Sequence, residues 1–164
     1  MVLKPALGLE YLLLNWTKKT VDALFIHNKR PAVGSVVYCN LGLAFEHTGI
    51  CVDGEHMVHL SGRGVVEMVD AKEFCGRLKG ANPSFTIFCP VQKGKAVGDE
   101  EVARRALSLV GQHKKYNLVL SNCHCFSAYC LTGQEVFCPS FTELELFLQR
   151  EYPGYTWRAT NLLR

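Results

Sequence analysis

Apolar positions along the chain follow two rhythms, and the switches between them mark out the elements. Over residues 9–26 apolar side chains recur at mixed three-and-four spacing, which predicts a helix. Pro31 breaks that pattern, and a block rich in β-branched and aromatic residues opens at 34–39. Further strands are predicted at 47–51, 55–60, 65–69 and 85–90, with the turn signals Asp53-Gly54 and Gly62-Arg63-Gly64 separating the first three as an antiparallel meander. Asp70 with Glu73 forms a capping box for a short helix from 71 to about 78. Asp99, followed by Glu100 and Glu101, starts a helix whose Val102, Ala106, Leu109 and Val110 share a face and which ends at Gly111. Residues 116–120 can extend a strand, but at Asn122-Cys123 the period changes. Phe126, Tyr129 and Cys130 then fall at helical spacing, with Gly133 as the residue after the C-cap, so Cys123 sits in the first turn of a helix. Ser140 and Glu143 announce a last helix to about 149, stopped by Pro153-Gly154.

These elements make an α+β fold, a small antiparallel β-meander packed against helices. The 164 residues suit a single domain, in which 1–31 form an N-terminal helical extension, 33–133 the core, and 139–164 a C-terminal helix and tail. Apolar residues make up 48% of the chain, which excludes disorder. The net charge of +3 comes from scattered basic residues, so nucleic acid is not an expected partner. The first apolar run, 5–14, carries Glu10 and leads to Lys18 and Lys19 rather than to a small-residue cleavage site, so secretion is not expected. The longest stretch without formal charge, 117–134, holds Asn, Ser, His and Gly and is not a membrane span.

Eight cysteines in a chain with a full apolar complement read as reduced thiols of a cytoplasmic protein. There is no Cys-x-x-Cys pair, and Cys123, His124 and Cys125 are adjacent residues that cannot all turn toward one tetrahedral ion. Neither a metal nor a cofactor is expected. A cysteine at a helix N-terminus faces unsatisfied N–H groups and the positive end of the dipole, which favours thiolate and should lower the pKa of Cys123. The same N–H groups can hold an oxyanion. The bland alternative is a small buried hydrophobe.

A nucleophilic thiol needs an imidazole and a group that orients it, and two of the six histidines, His47 and His59, flank the Asp53-Gly54 turn. A two-residue loop would throw them onto opposite faces of the hairpin. A three-residue loop, Val52-Asp53-Gly54, sets Cys51 opposite Glu55 and His47 directly across from His59, puts Gly54 at a left-handed bulge position, and turns both rings toward the face that meets Cys123. His27, His56 and His113 have no comparable arrangement and are assigned to surface or packing.

The segment from His47 through Thr48-Gly49-Ile50-Cys51-Val52-Asp53-Gly54 to His59-Leu60, with Asn122-Cys123-His124-Cys125-Phe126 far downstream, resembles the lecithin:retinol acyltransferase family of permuted papain-like thiol enzymes. The resemblance covers about residues 33–133. It implies a circularly permuted papain-like fold, with Cys123 as nucleophile, His47 as general base and His59 as the residue that orients it. It also implies a thiol acyltransferase or acyl hydrolase working on an acyl-bearing small molecule or lipid through an acyl-thioester, with peripheral membrane contact among the partners it allows. Two departures bear on substrate. His124 and Cys125 stand where animal relatives often carry Glu and His, and residues 155–164 form no apolar anchor, as in soluble microbial or viral members. The alternatives are a thiol peptidase or amidase of the same superfamily, and a non-catalytic interaction module.

Overall fold

The computed structural model describes residues 30–41, 45–76, 86–114, 117 and 122–163. The helix expected at 9–26, and all but Asn117 of the segment 116–120, lie outside them. Among the described residues the fold is α+β, a seven-stranded antiparallel sheet with four helices. Strands β1 (Val36–Leu41), β2 (Phe45–Cys51), β3 (Met57–Leu60) and β4 (Val66–Val69) form the expected meander. The next strand, β5 (Ile87–Gln92), does not extend it. It returns to the far side of β1, pairing Tyr38 with Phe88 and Cys39 with Ile87. Two strands not anticipated from sequence, β6 (Lys95–Ala96) and β7 (Thr156–Ala159), both pair with β5.

The helices follow their caps. Asp70 accepts the Glu73 amide at 2.8 Å and starts α1 (Ala71–Cys75), which ends at Gly76 rather than near 78. Asp99 accepts the Glu101 amide at 2.7 Å and starts α2 (Glu100–Ser108). This helix stops short of Val110, which is 42% exposed rather than on the buried face. The chain turns there so that 111–114 can lie along β4, with Gly111 N–H donating to the Val66 carbonyl. Helix α3 (Cys123–Thr132) ends at Gly133 in the left-handed region, φ 72°, as its position predicts. Helix α4 (Phe141–Glu151) begins after Ser140, whose hydroxyl goes to the Glu143 carboxylate rather than to a backbone amide. No described helix is long and apolar enough to cross a membrane.

Both faces of the sheet are buried, which is why its inner strands read as nearly continuous apolar runs. On one face Tyr38, Ile50, Val58 and Leu60 pack against α2, α3 and α4. On the other Val37, Cys39, Cys51, Met57 and Ile87 pack against Phe74 and Cys75 of α1.

The β2–β3 turn has the expected odd length but a different register. Val52 N–H donates to the His56 carbonyl at 2.9 Å, and the strands pair Cys51 with Met57 and Ile50 with Val58. The Asp53 carboxylate fixes this tip by accepting the amides of Glu55 and His56 at 2.8 and 2.7 Å, with Gly54 at φ 88°. Continued along the strands, that register sets His59 opposite Gly49 rather than opposite His47.

Candidate active site

Because residues 47 and 49 share a face of β2, His59 lies diagonal to His47, and the two rings meet. His47 Nε2 is 2.8 Å from His59 Nδ1, with ring planes at 86°. Both imidazoles are buried, and Phe74 packs against each, with ring centroids 4.9 Å from His47 and 5.7 Å from His59. Gly49 makes the diagonal contact possible. A Cβ there would come within 2.9 Å of Phe74 and the Val58 carbonyl and 3.1 Å of the His59 Cβ.

Cys123 is the first residue of α3 and is almost fully buried. Asn122 caps the helix twice over, its Oδ1 accepting the amides of His124 and Cys125 at 2.9 and 3.0 Å, while its Nδ2 donates to the Pro139 carbonyl at 2.8 Å. The helix approaches from the face opposite the imidazoles, which corrects the expectation that both rings lie on the face that meets Cys123. His124 and Ser127 rest on Thr48, whose side chain points that way. Beside Thr48 the sheet opens between β2 and β3. Their ladder ends at Ile50 and Val58, although β2 runs back to Phe45 and β3 on to Leu60. Cys51 N–H donates to Ser35 on the β1 side, so by the alternation of an antiparallel strand Thr48 N–H points to the opened β3 side. The Thr48 amide and hydroxyl are among the groups that favour a Cys123 thiolate.

The structure thus joins His47 directly to His59 and sets the helix that Cys123 begins, through His124 and Ser127, on Thr48, the residue after His47. Burial pushes the Cys123 thiol above its ordinary value, against the pull of the Thr48 amide and hydroxyl and of the Cys123 and His124 amides. The fall expected at a helix N-terminus is therefore reversed: the N–H groups act in the anticipated direction, and desolvation outweighs them. Burial also holds His124 down at about 4, although Glu46 and Glu143 pull it upward. Cys39, paired across the strands with His47, is pushed up by a hydrogen bond shared with Cys75 and by burial, and it also feels Cys123. Cys125 points elsewhere, to the Cys138 carbonyl at 3.1 Å. Beyond it opens a groove of about 470 Å³ lined by Leu60, Phe126, Val136 and Phe137 together with Lys114 and Glu135.

Sequence reasoning passed over Thr48, Gly49 and Phe74. Strand alternation already places Thr48 on the face opposite His47, and a glycine inside a strand marks a close approach. Phe74 carried no such signal beyond its place in the short capped helix. No curated protein and no solved structure matches the chain. A family model does, that of lecithin retinol acyltransferase, over residues 29–136, more than half of the sequence and inclusive of both histidines and the Asn-Cys pair. The chain therefore belongs to the lecithin retinol acyltransferase family.

Proposed function

We propose that this chain is a cysteine-dependent acyltransferase or acyl hydrolase acting on lipid acyl esters through an acyl-thioester on Cys123, with His47 as base and His59 orienting it. The observation that supports this reading best is the buried His47–His59 contact at 2.8 Å, on the strand residue next to Thr48, which carries His124 and Ser127 of the helix that Cys123 begins. His47 Nε2 is engaged by His59, so the nitrogen that takes the thiol proton is Nδ1. A thiol held above its usual pKa suits proton removal during attack rather than a preformed ion pair.

In the first step the sulfur forms a C–S bond to the ester carbonyl as its proton passes to His47. The Cys123 amide, which the Asn122 cap leaves to the open end of the helix, receives the oxyanion. The C–O bond then breaks, and His47 returns the proton to the leaving alkoxide. Water or an acceptor hydroxyl or amine, deprotonated by His47, next attacks the thioester carbonyl, the C–S bond breaks, and the departing Cys123 sulfur takes the proton back from His47. The groove beyond Cys125 joins Leu60, Phe126, Val136 and Phe137 to Lys114 and Glu135, so it offers an acyl chain an apolar surface while carrying charge of both signs.

Intact mass spectrometry after incubation with mixed phospholipids, and separately with peptide amides, tests the reading. An acyl-mass adduct on Cys123 from the phospholipids, absent in Cys123→Ala, is expected. An adduct from the amides alone would move the assignment to a peptidase or amidase. Full turnover by a folded Cys123→Ala protein would end the nucleophile assignment.

A further inference from the structure

All eight cysteines lie within the described residues, and seven of them are buried. Cys125 is the partly exposed one, and it lines the groove beside α3, so a small oxidant reaches its sulfur before the others. Cys123 is two residues away in sequence but projects about 200° around the helix from it. Cys138 instead comes to Cys125 from outside the helix. The Cys125 thiol donates to the Cys138 carbonyl oxygen at 3.1 Å. C=O and Cα–C bonds measure about 1.2 and 1.5 Å, so the Cys125 sulfur lies within about 6 Å of the Cys138 Cα. Cys138 also belongs to a segment with other duties. Pro139, the next residue, accepts the Asn122 side chain at 2.8 Å, and Ser140 begins α4.

We propose that Cys125 and Cys138 are a peroxide-sensitive dithiol, and that closing it into a disulfide loosens the N-terminus of α3. A hydroperoxide transfers one oxygen to the Cys125 sulfur, which becomes a sulfenic acid while the peroxide is reduced to an alcohol or water. The Cys138 sulfur then attacks. An S–S bond forms as the S–O bond breaks, and the Cys138 proton leaves with the hydroxyl as water. Burial pushes the Cys138 thiol up to about 12, which suits it to this second step rather than to the first. Its sulfur now lies 3.7 Å from the Ser140 carbonyl, so a turn about χ1 with a small backbone shift brings the two sulfurs to the bonded distance of about 2.05 Å. Oxidation also removes the S–H that donates to the Cys138 carbonyl. Both changes act on the residue joined to Pro139, and hence on Asn122, whose Oδ1 holds the amides of His124 and Cys125. Reducing thiols reverse the bond by exchange, so the pair senses peroxide rather than stapling the fold.

Peptide mapping of the full chain without reductant tests the pairing. The reduced protein is treated with hydrogen peroxide at low molar excess, remaining thiols are blocked with iodoacetamide, and the digest is read by mass spectrometry. A linked pair of peptides joining Cys125 to Cys138 and lacking two hydrogens is expected, with dithiothreitol before blocking returning both as alkylated thiols. Cys125→Ser should abolish the link and leave Cys138 reduced. Cys138→Ser should leave a sulfenic acid on Cys125 that dimedone traps, and if this buried substitution unfolds the chain, the Cys125→Ser result decides. Sulfinic acid on Cys125 with no link, a bond from Cys125 to a different cysteine, or oxidation of Cys138 undiminished in Cys125→Ser would each overturn the pairing. Hydrogen exchange reads the consequence. The His124 and Cys125 amides should exchange about tenfold faster in the disulfide form, the protection that one hydrogen bond gives, and equal rates would overturn the link to the cap. Neither measurement involves turnover, so either can fail while the acyl-transfer reading stands.

Discussion

At Gly49 a missing side chain sets the position of two that are present. His59 stands across from it, and Phe74 closes over both imidazoles, so a methyl group there would meet ring, carbonyl and Cβ at 2.9–3.1 Å. The carbonyl and the Cβ belong to the body of β3 and cannot swing aside as a flexible side-chain tip could. Gly49→Ala should therefore cost about 1–3 kcal/mol, the range for overpacking a filled interior, and should lower turnover more than that loss implies because His59 is pushed off His47. A urea midpoint measured beside kcat checks both parts, and an alanine variant with native stability and rate would contradict this account of the pair. The two histidines themselves were legible from spacing and parity of the loop. Their exact opposition was not, because the register turns on which Asp53 hydrogen bonds close the tip, and these involve Glu55 and His56 rather than the Asp53-Gly54 pair alone.

Among the elements, helices announced themselves locally and strands only in part. Asp70, Asp99 and Asn122 each accept the first amides of a helix, a signal confined to a few neighbouring residues. Asn122 also separates two roles that can be tested apart. Asn122→Ala removes the acceptor for His124 and Cys125 and the donor to Pro139, and should cost about 1–3 kcal/mol from a lost cap and a lost hydrogen bond. Asn122→Asp keeps the acceptor and adds charge at the favourable end of α3, but it loses the donor to Pro139 and buries a carboxylate beside that carbonyl, so its stability should fall between those of wild type and Asn122→Ala if the cap outweighs the lost bond. That same charge lies beside Cys123 and disfavours a second negative charge, so alkylation of Cys123 by iodoacetamide should slow. Thermal melts with alkylation rates decide the matter: an aspartate variant as unstable as the alanine one would show that the cap does not outweigh the bond to Pro139 and the cost of the buried charge. Strands β6 and β7 had no such local mark. Lys95–Ala96 is two residues long, and Thr156–Ala159 carries a partly exposed sequence whose partner, β5, lies far upstream.

At the scale of the whole molecule the sheet is completed by pairings remote in sequence, and this is why the expected meander and C-terminal tail became one sheet with β5 beside β1 and β7 beside β5. Strand β7 brings Ala159 into the same core as Phe141, Leu144 and Leu148 of α4, which in turn packs on α3, so the helix that carries Cys123 is held from both ends of the chain's described part. Stability at mildly acid pH should then report on His124, which is buried within that packing. Unfolded, its imidazole titrates near 6.5; folded, burial lowers it to about 4. Between those values the unfolded chain binds more protons, so the stabilisation is present above about pH 6.5, is lost as the pH falls toward 4, and changes no further below that. From pH 7 to pH 5 this amounts to a loss on the order of 2 kcal/mol. The exposed His56 acts in the opposite sense, since its contact with Asp53 raises its pKa and stabilises the protonated form, but solvent screening keeps that contribution small. Urea unfolding at pH 7 and pH 5, carried out on wild type and on His124→Asn, isolates the effect. The asparagine variant has no imidazole to protonate at this position and should lose markedly less stability across the interval, and parallel losses in the two proteins would place the acid sensitivity elsewhere in the fold.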